Sequence, residues 1–293
     1  MNSYSLLLKE IRTSLKFLPE NILENLLLHL QQTINYQPVI GIIGKSGSGK
    51  SSLCNALFES SVCATDPIQG CTREAQRLTL SIGERRMTIV DLPGLGETPE
   101  YDHEYSQLYQ QLLPELDLIV WVLRADERAY AADIQMYKYL CSQGADSSRF
   151  LFILSHADRV FPANEWLSEL SSPSPQQLLS LATVSARVAS LFPTAFPVLP
   201  VSAVSGWNLS VFVSLMIYAL PIQATSAVYT HFRKENCSED DRHRARADFG
   251  QTLGQTFDRV ILAHSLPESA MRLISQIRKK IIQLLLSLWD KFF

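Results

Sequence analysis

The segment that most restricts how this chain can fold is Gly44-Lys45-Ser46-Gly47-Ser48-Gly49-Lys50-Ser51. Before it runs Pro38-Val39-Ile40-Gly41-Ile42-Ile43, a short apolar stretch rich in β-branched residues. After it, Ser52-Leu53-Cys54-Asn55-Ala56-Leu57-Phe58 reads as opening helical turns. Strand, glycine-rich loop, helix is the context in which G-x-x-x-x-G-K-[ST] becomes an anion site. Glycines at 44, 47 and 49 let the backbone bend tightly and turn successive N–H groups toward one point. The helix adds its unpaired N–H groups and the positive end of its dipole. Lys50 supplies a charge for outer phosphates, and the Ser51 hydroxyl is placed to ligate Mg²⁺. The plain alternative is a glycine-rich surface loop with a stray lysine.

A chain of 293 residues, 46% hydrophobic, allows one large α/β domain with an addition, or two modest domains. A net charge of −3 gives no sign of a general nucleic-acid or membrane-surface binder. Cysteines 54, 63, 71, 141 and 237 show no metal-like spacing, and Cys54 and Cys141 read as small buried apolar residues. Their odd number and the lack of a recognisable leader lead us to expect a reducing, cytoplasmic setting. No stretch reaches the roughly 18 apolar residues of a membrane span.

Residues 1–36 carry helical periodicity broken at Pro19, which predicts two helices or one kinked helix. From 38 to about 220, strands and helices alternate. Strands are expected at 38–43, 76–82, 86–91, 117–123, 149–155 and 197–202. Helices are expected near 50–59, 102–113, 129–142, 175–191 and 207–219. The pattern indicates βαβ units and a largely parallel sheet, with 76–82 and 86–91 paired as a hairpin. Ser174-Pro175 reads as a capped helix start. Residues 221–293 return to helix after a polar stretch at 234–241 expected as a loop. Three regions follow: N-terminal helices at 1–36, a central domain at 37–220, and a C-terminal helical region at 221–293 packing with the first.

Further candidates cluster at strand ends. Asp91-Leu92-Pro93-Gly94 ends a strand about 40 residues after the lysine loop, where a P-loop enzyme holds Mg²⁺, usually through water. Gly94 can offer a backbone N–H to a terminal phosphate; the alternative is an ordinary Asp-Pro-Gly turn. Thr72, in Gly70-Cys71-Thr72-Arg73, is a candidate second hydroxyl ligand, which would make its loop a switch. Ser155-His156-Ala157-Asp158 and Ser202-Ala203 end two more strands, on the side of an open α/β sheet where ligands bind. A carboxylate at 158 can accept from guanine N1–H and N2–H₂, donors that adenine lacks; otherwise Asp158 caps a helix.

These boxes, in this order, resemble the Era/TrmE-like branch of the translation-factor GTPases, which includes the YfjP-like GTPases. The resemblance spans roughly residues 38–220. It implies an α/β fold: a three-layer P-loop GTPase domain with a mostly parallel six-stranded sheet, plus a helical unit built from both chain ends. It implies GTP and GDP binding with Mg²⁺, two switch loops and slow hydrolysis. The implied nucleotide set is Gly44, Lys45, Ser46, Gly47, Ser48, Gly49, Lys50, Ser51, Ser52, Asp91, Gly94, Ser155, His156, Asp158, Ser202 and Ala203, the last through its backbone N–H. Lys50, Thr72 and Gly94 are the implied catalytic positions, and Ser51, Thr72 and Asp91 the metal ligands. Three departures stand out. Ser-His-x-Asp replaces Asn-Lys-x-Asp, Leu95 follows Gly94 where some GTPases carry glutamine, and Gly47 replaces the asparagine of potassium-activated members. The competing function is a nucleotide-dependent binding module with little turnover. In either case the terminal helices could engage a protein partner or a second copy. A membrane contact through Lys279, Lys280, Trp289, Phe292 and Phe293, or an RNA contact through Arg242-His243-Arg244-Ala245-Arg246, is the lesser alternative.

Overall fold

The computed structural model describes residues 9, 11–59, 76–83, 85–92, 108–167, 169–264 and 267–293. Thr72, Gly94, Leu95, Cys63 and Cys71 lie outside the described residues. Two compact units are present: residues 1–36, 221–230 and 242–293 form one, and 37–220 with 231–241 the other.

The second unit is built on a six-stranded sheet of order β2-β3-β1-β4-β5-β6. The strands are β1 Val39–Ile43, β2 Gln76–Ile82, β3 Arg85–Asp91, β4 Leu118–Arg124, β5 Phe150–Ser155 and β6 Leu199–Pro200. β2 pairs antiparallel with β3, and every other pairing is parallel. Burial follows that position: Leu118 to Leu123 of β4 and all of β5 are buried, as strands covered on both faces must be. Edge strand β2 alternates, with Leu80 buried between exposed Thr79 and Ser81. The helices between strands are α2 Lys50–Leu57, α3 Ala131–Ser142 and α4 Pro175–Leu191, and α5 Leu209–Ala219 follows the last strand. α4 starts with a reciprocal cap: Ser174 Oγ accepts from Gln177 N at 3.2 Å while Gln177 Oε1 accepts from Ser174 N at 3.1 Å. Trp121, Tyr137, Phe150, Phe152 and Phe192 interlock in the core.

Several expectations are corrected. The strand expected over 197–202 shrinks to Leu199–Pro200, because Pro197 and Pro200 have no N–H to donate to a ladder. Of the helix expected at 102–113, residues 108–112 are helical, 113–115 form a 3₁₀ turn, and 102–107 lie outside the described residues. Cys54 is buried, but Cys141 is only half-buried. The polar stretch 234–241 is not a loop throughout: a 3₁₀ turn covers Lys234–Asn236, and its last residues open helix α7, Glu239–Leu262. Ser238 and Asp241 cap it, with Ser238 N donating to Asp241 Oδ2 at 2.8 Å and Asp241 N to Ser238 Oγ at 3.1 Å. Residues 231–241 group with the sheet unit, not with the terminal helices. Backbone bonds explain this: Glu59 N donates to His231 O at 3.0 Å and Arg233 N to Leu57 O at 2.8 Å, while Phe58 stacks on Phe232.

The other unit contains α1 Glu20–Ile34, α6 Thr225–Tyr229, most of α7 Glu239–Leu262, α8 Glu268–Ser287 and α9 Trp289–Phe292. Its core joins Leu23, Leu26 and Leu30 of α1 to Phe249, Leu253 and Phe257 of α7 and Ile274, Ile281 and Leu285 of α8. Trp289 is buried and donates its indole N–H to Ser226 Oγ at 2.9 Å, so it is a core residue, not a membrane anchor. No helix of the described residues is long and apolar enough to cross a membrane.

Candidate nucleotide site

The loop 44–49 leaves β1 at its carboxyl end and enters α2. Two glycines there are required by the backbone: Gly47 and Gly49 have φ of 75° and 90°, a left-handed region costly for side chains. A third is required by space, since a Cβ on Gly44 would meet the Val122 carbonyl oxygen at 2.5 Å. The Lys50 ammonium donates to Gly44 O at 2.7 Å, curling back over the loop. It stands 3.7 Å from Asp91 Oδ1, at the end of β3. Ser46, Ser51 and Ser52 are exposed, whereas Ser48 is buried.

Asp91 is where a cation fits. Its Oδ1 is buried, has no hydrogen-bond partner among the described residues, and is too far from Lys50 for a hydrogen bond. Burial raises the Asp91 carboxyl above the ordinary carboxylate range, against the pull of Lys50. A buried acceptor of this kind, beside the Lys50 that opens α2, suits a hard divalent ion.

Lys45 does not face the same way as Lys50. Its ammonium donates to Glu127 Oε1 at 2.7 Å and Ala129 O at 2.5 Å, and lies 3.7 Å from the buried Asp133 Oδ2. Asp133 accepts from Trp121 Nε1 at 3.0 Å through its other oxygen. Burial raises the Asp133 carboxyl too. Arg124 grips both oxygens of Asp126, at 2.9 and 2.7 Å, and reaches Gly47 O at 3.3 Å. Arg124, Glu127 and Asp133 were missed in the sequence. The available signal was a cation and two acids following a strand that neighbours the one bearing the lysine loop.

The segment Ser155-His156-Ala157-Asp158 sits beside the same loop. Ser155 is buried, and its hydroxyl lies 2.6 Å from Ser48 O, 3.1 Å from Leu123 O and 3.0 Å from His156 Nδ1. The serine thus ties the phosphate loop to the end of β5. His156 is left-handed, with φ 55°, and its ring edges Gly49: a Cβ there would be 3.0 Å from Cε1. Burial, then Arg124 and Arg159, lower the His156 pKa, so its imidazole is neutral near pH 7. Asp158 lies in the 3₁₀ turn Ala157–Arg159, partly exposed, with Arg159 at 4.0 Å. Ala157 N donates to Val201 O at 3.1 Å, joining this turn to the next box. Ser202 is fully buried; its Oγ accepts from Ser205 N at 3.3 Å and closes the turn that carries Ala203. The described sequence candidates therefore fall on three loops at the carboxyl ends of β1, β3, β5 and the segment after β6.

Residues 39–155 match the family model described as 50S ribosome-binding GTPase. YkfA of Escherichia coli (strain K12) is 37% identical over 289 residues, covering 98% of each chain. YfjP of the same strain is 37% identical over 286 residues, again 98% of each. GTPase Der of Thermosipho africanus (strain TCF52B) is 36% identical over 104 residues, 33% of this chain and 24% of that one. A phosphate loop of this geometry, and similarity to YkfA and YfjP over almost the whole length, lead to one conclusion: the chain belongs to the P-loop GTPases, in the family of YkfA and YfjP.

Proposed function

We propose that the protein is a nucleotide-controlled switch that binds GTP with guanine selectivity and turns it over slowly to GDP. The observation that carries this is the meeting of Lys50, Asp91 and the glycine loop at one point, with Asp91 Oδ1 buried and unsatisfied. Lys50 would exchange its bond to Gly44 O for phosphate oxygens and stabilise the charge that develops on the transferring group. Ser51, Asp91 and Thr72 would hold Mg²⁺, which supplies charge neutralisation of the phosphates when bound. Backbone N–H groups of the loop and of Gly94 orient the phosphate chain. Asp158 reads the guanine edge, and the turn closed by Ser202 presents the Ala203 N–H to the base. Neutral His156 supports the loop against Gly49 without adding charge.

Slow turnover follows from Leu95, which has no group to orient a water. The same residue supports a second reading, a nucleotide-dependent binding module that waits for a partner to complete the site. We place the protein in the cytoplasm and its partner contacts on a protein surface. GTP turnover by the wild type and Lys50→Ala tests the reading: loss of nearly all turnover in the variant is expected, and equal turnover in both would remove Lys50 from the site.

A further inference from the structure

Beside the nucleotide loops, and separate from them, the sheet unit holds a cleft of about 560 Å³. Its walls are the segment 125–130 after β4, residues 159–161 after the base box, and one face of α4. That face runs Gln176, Ser180, Thr183 and Arg187, spaced at three and four residues as a helical stripe must be. Charge is unevenly matched within it. The two acids of the cleft are already engaged, Asp126 by Arg124 and Glu127 by Lys45. Arg128 and Arg187 are exposed and make no salt bridge to any described residue, and Arg159 has only Asp158 at 4.0 Å. Two exposed apolar side chains stand among these cations: Phe161 is 79% exposed and Leu179 64% exposed, and both line the cleft. Leu178, on the same helix as Leu179, is 48% exposed. Arginines beside exposed apolar side chains are what a protein hot spot offers to carboxylates with an apolar anchor. The chain's net charge of −3 does not draw a long polyanion, so a nucleic acid is the poorer fit.

Both walls are fastened to the phosphate loop. The 125–130 wall is held by Lys45 to Glu127 and Ala129, and by Arg124 to Gly47 O. Tyr130 stiffens it, its hydroxyl lying 3.0 Å from Arg124 O and 2.8 Å from Glu127 O. The 159–161 wall grows from the turn that Ser155 ties to Ser48 O at 2.6 Å. We propose that this cleft docks an acidic segment of a partner protein bearing an apolar anchor, and that docking is coupled to nucleotide through these ties. The coupling half rests on the nucleotide-binding reading; the docking half does not.

The test begins with a phage-displayed random heptapeptide library selected on the full chain without nucleotide. Expected winners carry two or more Asp or Glu beside an apolar or aromatic residue. A fluorescein-labelled winner then loses at least tenfold in affinity for Arg128→Glu/Arg187→Glu, and less for Arg128→Gln/Arg187→Gln. Thermal melts confirm that both variants keep the wild-type fold. With saturating GDP the peptide affinity shifts about fivefold or more, and the peptide shifts GDP affinity by the same factor. Glu127→Gln, which breaks the tie to Lys45, shrinks that shift. Docking is overturned if the library yields no acidic bias, or if both double variants bind the winner like wild type. It is overturned too if a poly(U) oligonucleotide or phosphatidylglycerol vesicles bind through these arginines and no acidic peptide does. Identical peptide affinity with and without bound GDP overturns the coupling. Failure of GDP to bind at all removes the proposed function and leaves docking standing on the nucleotide-free result.

Discussion

Ser155→Ala isolates the tie between the base box and the phosphate loop. The hydroxyl is buried, and its single proton points to the Ser48 carbonyl, 2.6 Å away, in preference to Leu123 O at 3.1 Å. Alanine removes one oxygen and no carbon, so cavity cost is small and the loss is polar. Deleting a buried donor costs about 1–3 kcal/mol, because the acceptor is left desolvated and unpaired. The Ser48 peptide also belongs to the loop that would grip phosphate, so loosening it should weaken GDP binding. If half the lost energy falls on the bound state, affinity drops about two- to twelvefold. Urea unfolding of the full chain, followed by a signal from Trp121 in the sheet core, reads the first quantity, and GDP titration the second. A stability change below about 0.5 kcal/mol with unchanged GDP affinity would refute the reasoning, since a surface serine behaves that way.

Other substitutions probe separate parts of the argument. Gly49→Ala forces a side chain into φ 90° and within 3.0 Å of His156 Cε1, and GDP affinity measured by calorimetry should fall at least tenfold. Asp133 has a raised carboxyl pKa, so wild-type stability falls as pH rises from about 3.9 toward the folded value and then levels. Asp133→Asn should flatten that part of the stability–pH curve while keeping the Trp121 bond. His156 has a lowered pKa, so folding favours its neutral form and stability declines as pH falls below about 6.5. His156→Gln should remove that decline in urea titrations at pH 5 and 7. Ser238→Ala removes a cap of α7 and should cost about 1 kcal/mol in the same titrations.

The phosphate loop was legible because its glycines and lysine answer to local backbone physics, and local physics is what a sequence spells out. The same holds for the buried strands β4 and β5, whose continuous apolar runs require cover on both faces. Ser174-Pro175 announced the start of α4, a capping hydroxyl followed by a first-turn proline. Long-range matters were not legible. Phe232 packs on Phe58 across 174 residues of chain, so nothing local told 231–241 to rejoin the sheet unit. Lys45 lies in the phosphate motif, yet its ammonium is taken by Glu127, 82 residues away. The role of Ser155 depended on which carbonyl lay over it, which only the packed sheet decides. Prolines at 197 and 200 did carry the warning that the last strand would be short.

Titration of the full chain with GDP and with ADP in the presence of Mg²⁺, by calorimetry on wild type and Lys50→Ala, tests the central claim most directly. Wild type should bind GDP at least a hundredfold more tightly than ADP, and Lys50→Ala should lose at least tenfold for GDP. Equal affinities for GDP and ADP, or a Lys50→Ala variant that binds GDP like wild type, would contradict it.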